Sequence, residues 1–206
     1  MKPHDVWKMD LVNVVIFAVV GFFLHIISNS IRIREFVLTR KINIQKDTDD
    51  LTGLKNKGAL TREINSFLAD PAGEKGTLLV LDIDGFKYIN DTYGHDVGDE
   101  VISQLGAFLG TRFTSGETVG RFGGDEFIIF IKDTDDAGSA AETARDVLTG
   151  VSDRTSLPDK DKKVSACIGI ALYRGEEKNY SEIFKKADIA LYRAKASTDR
   201  VQIYGD

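Results

Sequence analysis

The segment RFGGDEF, residues 121–127, places two glycines and two acids between two apolar runs. Glycine accepts the backbone conformations that a tight turn between antiparallel strands requires, so the segment predicts a β-hairpin around Gly123 and Gly124. A tight turn does not require adjacent acids. Asp125 and Glu126 are therefore either the solvated tip of an ordinary turn or groups kept for chemistry.

The flanking sequence predicts the other elements of an α/β domain. GTLLVLDID (76–84) and VSACIGIAL (164–172) are apolar runs typical of buried strands, and Cys167 in the second run is predicted to be a buried small hydrophobe. The order of the elements predicts an α/β (α+β) domain, a mostly antiparallel sheet flanked by helices. The predicted helices and the short last strand lie at about 57–69, 85–110 with a glycine break near 94–98, 136–149, 180–195 and 200–204.

Charge and cysteine content narrow the classes of function. The chain has 206 residues, a net charge of −5 and one cysteine. This length fits one globular domain with an appendage. No basic excess is available to neutralise phosphates along a groove, so nucleic acid is not an expected partner. A single cysteine cannot form an internal disulfide, and nothing indicates an oxidising compartment.

The N-terminal part differs from the rest in being almost free of charge. Residues 11–27 contain no Lys, Arg, Asp or Glu, and an extension to residue 31 gives the roughly 20 residues that a membrane span needs. Basic residues follow at 32, 34, 40 and 41, which predicts a cytoplasmic C-terminal part. We therefore expect a short tail at 1–10 and a transmembrane helix at 11–31. A cleaved signal peptide or the amphipathic core helix of a soluble protein are the alternatives.

Residues 32–48 are predicted to form a linker helix that is a candidate dimer coiled coil, because apolar residues alternate there with many charges. Three aspartates at 47, 49 and 50 then interrupt the pattern, and we place the domain boundary there. The remaining domain covers residues 49–206.

Two acids close the first long strand. Asp82 and Asp84 lie two residues apart and would share a face of a regular strand. Asp84 also precedes Gly85 and a predicted helix, so it is either a helix N-cap or a ligand. Asp82 has no such structural purpose. If the hairpin lies beside this strand end, Asp82 and Asp125 would form an oxygen-rich site suited to Mg²⁺.

The segment between the strand and the hairpin carries polar groups suited to a nucleotide. Asn90 and Asp99 together offer the acceptors that read a guanine edge, with His95 between them, and Lys87 could reach a phosphate. The structural alternatives are a helix-terminal Asp99, a surface Lys87 and a packed His95.

Five blocks in this order resemble the GGDEF-domain diguanylate cyclases, over about residues 49–204. The blocks are DDLTGLKN (49–56), LDIDGFKYINDTYGHDVGDE (81–100), RFGGDEF (121–127), SACIGIA (165–171) and ADIALYRAK (187–195). The resemblance implies a fold like the palm of nucleotidyl cyclases and polymerases. It implies the condensation of two GTP molecules into cyclic di-GMP with release of two pyrophosphates, across a homodimer that uses Mg²⁺, or Mn²⁺ in its place.

The resemblance also implies roles for individual residues. Asp82, Asp125 and the backbone carbonyl of Ile83 correspond to the metal ligands, and Asp125, Lys87 and Glu126 to the catalytic groups. The residues that correspond to substrate contacts are Asn90, Asp99, His95, Phe86 and Lys195. With the predicted span, the expectation is a single-pass protein of the inner (cytoplasmic) membrane whose catalytic domain is cytoplasmic. No sensor domain is recognisable, so a membrane sensor partner is a further candidate.

Two rival functions stay open: a non-catalytic module that binds GTP or a cyclic dinucleotide, and a cyclase of mixed specificity. Two departures from the family pattern also stand out. Thr198 and Asp199 occupy the place of a usual glycine and basic residue, with Arg200 displaced by one position. TSGE (114–117) replaces the Arg-x-x-Asp motif at which many members bind inhibitory product, which predicts weak or absent product inhibition.

Overall fold

The computed structural model describes residues 4–45, 47–69, 75–114 and 116–205. The chain divides into two compact units, Met1–Lys46 and Asp47–Asp206. The first unit is a single helix, and the second is a layered α/β domain.

The first unit consists of helix α1, His4–Gln45. Its segment Ile16–Arg34 has a mean hydropathy of 1.8, and none of it is buried within the chain. The segment is long and apolar enough to cross a membrane, by length and composition, a test that a signal sequence also passes. The predicted span, 11–31, lies within α1. The predicted linker, 32–48, is helical as far as Gln45, whereas Thr48 forms a β-bridge with Lys55.

The second unit is built on a six-stranded mixed sheet with the strand order β1-β3-β4-β2-β5-β6. The central pairs β3–β4, β4–β2 and β2–β5 are antiparallel, whereas the outer pairs β1–β3 and β5–β6 are parallel. In chain order the elements are β1 Lys55–Asn56, α2 Lys57–Leu68, β2 Gly76–Ile83, α3 Phe86–Tyr93, α4 His95–Arg112, β3 Thr118–Gly123, β4 Glu126–Lys132, α5 Ala137–Arg154, β5 Ala166–Tyr173, α6 Tyr180–Ala194 and β6 Val201–Ile203.

The α/β class and the mostly antiparallel sheet are confirmed. The glycine break expected near residues 94–98 is located at Gly94, whose φ of +92° separates α3 from α4. The N-terminus of α2 is set by Asn56, whose side chain accepts a hydrogen bond from the Ala59 amide at 3.0 Å. Strand β1 was not predicted, because two residues are too few to show a periodicity.

The sheet is covered on both faces, and the alternation along each strand decides which helices a side chain meets. On β2, Leu79 and Leu81 belong to the cluster with α4 and α5, whereas Leu78 and Val80 pack with α2 and α6. On β4, Ile128 and Phe130 also face α2 and α6. Side chains at the ends of these two series therefore lie under α6.

Candidate active site

The predicted hairpin is present, and its turn consists of Gly124 and Asp125 between β3 and β4. Gly124 has a φ of +57°, which glycine adopts without steric cost. The ladder is irregular between Arg121 and Gly123, so a β-bulge at Phe122 precedes the turn. The irregularity changes the direction of the strand just ahead of the acids.

Arg121 braces this turn, a role that the sequence did not predict. Its Nε and Nη2 atoms donate to the carbonyl oxygen of Gly124 at 2.9 and 2.8 Å, and its Nη1 lies 3.4 Å from a carboxylate oxygen of Asp49. Asp49 also accepts from the amide and the hydroxyl of Thr52, at 3.0 and 2.8 Å. Arg121 thus connects the acidic turn to the first turn of the domain. The only sequence feature that could have pointed to this contact is that Arg121 and Asp49 both lie in blocks that resemble the family.

The end of β2 lies beside the start of β4. Asp82 is the register partner of Glu126 on one side and of Cys167 on the other. Asp82 continues the series of Leu78 and Val80, and Glu126 continues that of Phe130 and Ile128, so both side chains are on the face covered by α6. The expected proximity of the strand end and the acidic hairpin is therefore found.

Lys195 approaches these acids from the end of α6. Its Nζ atom lies 2.9 Å from Oδ1 of Asp82, whose side chain is only 14% exposed. Partial burial disfavours the charged ammonium, but the hydrogen bond to Asp82 and the charges of Asp82 and Asp125 outweigh it and raise the pKa of Lys195.

The acids of the turn repel one another. Burial, followed by the charge of Asp82, raises the pKa of Asp125. The same two causes raise the pKa of Glu126, to which the charges of Asp125 and Asp188 also contribute. Crowded, partly desolvated carboxylates of this kind are stabilised by a bound cation.

Asp84 does not cap α3, because the N-cap position is Gly85 and no side chain bonds there. The Asp84 carboxylate faces β5 instead, where it accepts from Ser165 Oγ at 2.9 Å and from Cys167 Sγ at 3.1 Å, and it pairs with Arg200. Burial, then the hydrogen bond and charge of Asp84, raises the pKa of the Cys167 thiol to about 12. Cys167 is buried, as predicted. Arg200, which the sequence comparison left without a role, forms an ion pair with Asp84.

The nucleotide-reading candidates lie on α3 and α4. Asn90 is half-buried against Gly98: a Cβ atom at position 98 would lie 1.9 Å from Asn90 Oδ1 and 3.3 Å from the Phe86 ring. Any side chain at position 98 would therefore displace the Asn90 carboxamide. Asp99 is the next residue of α4 and is exposed, as is His95, which begins that helix.

Lys87 is exposed in the first turn of α3. The site residues thus fall into two groups. The acids and Lys195 lie under the end of α6, and Asn90 and Phe86 pack at Gly98 where α3 and α4 meet.

The donor set at the strand end fits Mg²⁺. Within the described ranges, no three His, Cys, Asp or Glu side chains form a ready-made metal cage. Mg²⁺ is usually held by one or two carboxylates together with substrate phosphates and water, rather than by such a cage. Asp82 and Asp125, with the carbonyl oxygen of Ile83 at the end of β2, meet that requirement.

Known proteins resemble this chain over most of its second unit. The family model "Diguanylate cyclase, GGDEF domain" matches residues 46–200. The response regulator PleD of Caulobacter vibrioides is 36% identical over 154 residues, which are 73% of this chain and 34% of PleD. The probable diguanylate cyclase DgcC of Escherichia coli is 34% identical over 173 residues, 80% of this chain and 45% of DgcC. The chain therefore spans a third to less than half of the length of these curated relatives.

Solved structures give the same result. The GGDEF domain of DgcB from Caulobacter crescentus in complex with c-di-GMP is 30% identical, with a TM-score of 0.70 over 78% of this chain and 97% of that one. The coiled coil and GGDEF domain of DgcB, also in complex with c-di-GMP, are 29% identical, with the same TM-score of 0.70 over 85% of this chain and 94% of that one. The diguanylate cyclase SiaD of Pseudomonas aeruginosa, in complex with its activator SiaC, is 28% identical, with a TM-score of 0.64 over 95% of this chain and 78% of that one. A match of family model, sequence relatives and fold over most of the second unit leads to one conclusion: the chain belongs to the GGDEF-domain diguanylate cyclase family.

Proposed function

We propose that this chain is a catalytically active diguanylate cyclase that joins two GTP molecules into cyclic di-GMP and releases two pyrophosphates. The observation that carries the proposal is the cluster at the end of β2, where Asp82 lies opposite Glu126 and is contacted by Lys195 at 2.9 Å. Asp125 completes the cluster from the adjacent turn. A module that only binds nucleotide would not need this complete set of acids and cations.

Asp82, Asp125 and the Ile83 carbonyl would hold Mg²⁺, with Mn²⁺ as an acceptable substitute. The metal ion would supply charge neutralisation at the phosphates and would make the 3′-hydroxyl of the nucleotide more acidic. Asp125 accepts that proton in the proposed reaction. Glu126, next to it, is a second candidate contact for the metal.

The other residues bind and orient the substrate. Asn90 and Asp99 read the guanine edge from α3 and α4, and His95 and Phe86 contact the nucleotide beside them. Lys87 and Lys195 neutralise the phosphates, which requires Lys195 to move from Asp82 to the incoming triphosphate. Asp99 favours guanine because a carboxylate accepts from the N1–H and the exocyclic amine, so a relaxed GMP–AMP specificity is not expected.

The reaction requires two copies of the domain, since one domain holds one GTP and the two 3′-hydroxyls attack across a two-fold axis. In the proposed protein, the N-terminal segment brings the copies together, as a membrane span around residues 11–31 and as a coiled coil over 32–48. The DgcB structure with a coiled coil and the SiaD structure with an activator support helix-mediated assembly and a regulatory partner for this chain. We accordingly propose that the chain is an inner-membrane cyclase and that a membrane sensor protein regulates it by acting on α1.

The test is an assay of the full chain in detergent or nanodiscs with GTP and Mg²⁺. Mass spectrometry of the products should identify cyclic di-GMP, and pyrophosphate should form at two molecules per cyclic dinucleotide. Retention of GTP binding without any product would favour the rival reading of a non-catalytic binding module.

A further inference from the structure

Glu126 occupies an environment rich in negative charge. Asp82, Asp125 and Asp188 all act on it, and burial adds to their effect. Lys195 is the cation that offsets these charges, but its ammonium is bonded to Asp82. A carboxylate in this setting takes a defined orientation only if a further donor holds it.

Tyr180, the first residue of α6, carries a donor of this kind. The side chain is 5% exposed, and among the described residues its buried hydroxyl oxygen has no hydrogen-bond partner. Buried polar groups are almost always paired, because removing them from water without a partner is costly. An unpaired hydroxyl at this place indicates a partner that the site supplies.

The ring of Tyr180 is fixed between α6 and the hairpin that carries Glu126. Its backbone amide donates to Oδ1 of Asn65 on α2 at 2.7 Å. The ring centroid lies 5.4 Å from that of Phe184 and 6.2 Å from that of Phe122, the residue at the bulge of β3. The phenol is therefore held in place before any ligand binds.

Tyr180 and Glu126 are on the same side of the sheet. Tyr180 belongs to the apolar cluster formed with Ile128 and Phe130, and Glu126 continues that series on β4. Burial, followed by the negative charge of Glu126, raises the pKa of Tyr180, so the carboxylate lies within electrostatic reach of the hydroxyl.

We infer that Tyr180 is a positioning residue for the metal site: its hydroxyl donates a hydrogen bond through one water molecule to the Glu126 carboxylate and so orients that carboxylate towards the metal. Glu126 then contributes to metal binding from a fixed direction. The inference rests on the proposed function for what the metal site is used for, but the contact itself is testable without turnover.

The experiment compares Tyr180→Phe with the wild-type full chain. This substitution removes the hydroxyl and keeps the ring between Phe184 and Phe122. We expect roughly ten-fold weaker Mn²⁺ binding, measured by electron paramagnetic resonance with a non-hydrolysable GTP analogue present, because groups that orient metal ligands usually contribute this much. We also expect a lower kcat with little change in the KM for GTP. Tyr173→Phe is the matched control, because Tyr173 is 5% exposed in the same apolar cluster and contacts Phe67 instead.

A double-mutant cycle separates positioning from packing. In a Glu126→Ala background, Tyr180→Phe should have little further effect on Mn²⁺ binding, since the group that Tyr180 orients is already absent. An equal loss in both backgrounds overturns the inference. So does a Tyr180→Phe protein whose unfolding temperature shifts while its Mn²⁺ binding matches the wild type. If the wild type makes no cyclic di-GMP, the proposed function fails, whereas the Mn²⁺ comparison still decides the role of Tyr180.

Discussion

The Nζ atom of Lys195 lies 2.9 Å from Oδ1 of Asp82, so the end of α6 is bonded to the acid at the end of β2. The same carboxylate is a proposed ligand of the metal ion. Lys195 and the metal therefore compete for Asp82 until a triphosphate offers the ammonium another partner. The pair offsets part of the negative charge of the acidic site before substrate binds.

This competition predicts opposite effects of Lys195→Met on two binding steps. Without nucleotide, Mn²⁺ should bind more tightly, because the competing ammonium is absent. The KM for GTP should rise about ten-fold, since a lost hydrogen bond to a charged group is worth at least about 1.5 kcal/mol. Lys185→Met, at an exposed position of the same helix, is the control for a general charge effect. Weaker Mn²⁺ binding in the Lys195 variant would contradict the competition.

Asp125→Asn should abolish turnover without damaging the fold. The change removes a metal ligand and the proposed proton acceptor, which together contribute several kcal/mol to the stabilisation of the transition state. Product formation should fall by at least about a thousand-fold, as followed by pyrophosphate release. A variant with a near-native rate would remove Asp125 from the mechanism.

The same variant gives a prediction about stability as a function of pH. The pKa of Asp125 is raised in the folded protein, so the folded state binds more protons than the unfolded state between the ordinary carboxyl pKa and the raised one. The contribution of Asp125 to stability is therefore lost as pH rises through that window. Without metal, Asp125→Asn should unfold at a higher temperature than the wild type near pH 7, and the advantage should shrink on acidification. Calorimetry at several pH values in EDTA measures the difference in unfolding temperature between the two proteins. A wild type that is more stable than Asp125→Asn at pH 7 would refute the prediction.

Asp99→Ala tests the reading of guanine. The variant leaves the donors of the guanine edge without their acceptor, which costs roughly 1–3 kcal/mol, and ATP should then compete better with GTP. Asp99 is exposed on α4 and is not among the charges that raise the pKa values of Asp125 and Glu126, so Mn²⁺ binding should stay as in the wild type. Competition assays with both nucleotides decide it, and an unchanged preference for GTP would refute the assignment.

The sequence predicted structure correctly where the backbone conformation or the burial of a segment depends on its own residue types. Gly123 and Gly124 indicated the hairpin, because glycine tolerates the turn conformation, and the pattern of Leu78 to Asp82 indicated a buried strand that ends in an acid. Asp82 lies opposite Glu126 because β2 pairs with β4. The order of strands in a sheet is a tertiary property, so the sequence alone could not predict this pair. The resemblance, rather than periodicity, identified the residues on α3 and α4.

Other features depended on contacts between residues that are distant in the chain. Asp84 was predicted as a cap or a ligand, yet Ser165, Cys167 and Arg200 engage its carboxylate from β5 and the chain end. The hydrogen bonds from Arg121 to Gly124 and the placement of Tyr180 on the same face of the sheet as Glu126 have the same origin. A single sequence gives no sign that residues 180 and 126 share that face.

A further prediction concerns feedback by the product. In place of the family's Arg-x-x-Asp motif, this chain has TSGE at 114–117, ahead of β3, which begins at Thr118. Thr114 is exposed, and its hydroxyl offers one donor and no charge where an arginine would offer a planar fork with a fixed positive charge. Arg112, two positions upstream of Thr114, would share a face with it on a regular strand and could then partly replace the arginine. That expectation is wrong, because Arg112 is the last residue of helix α4, and its guanidinium lies 5.3 Å from the Phe113 ring.

We therefore expect weak or absent product inhibition. Progress curves with added cyclic di-GMP should show no more than competition with GTP, because the chain lacks the cation that would hold a phosphate or a guanine edge at this place. Thr114→Arg is the informative gain-of-function variant, since it restores the cation without touching the acids of the hairpin. It should introduce or strengthen inhibition that added GTP does not relieve. Strong non-competitive inhibition of the wild type at low product concentration, lost on Glu117→Ala, would show that the segment binds product despite Thr114 and would refute the prediction.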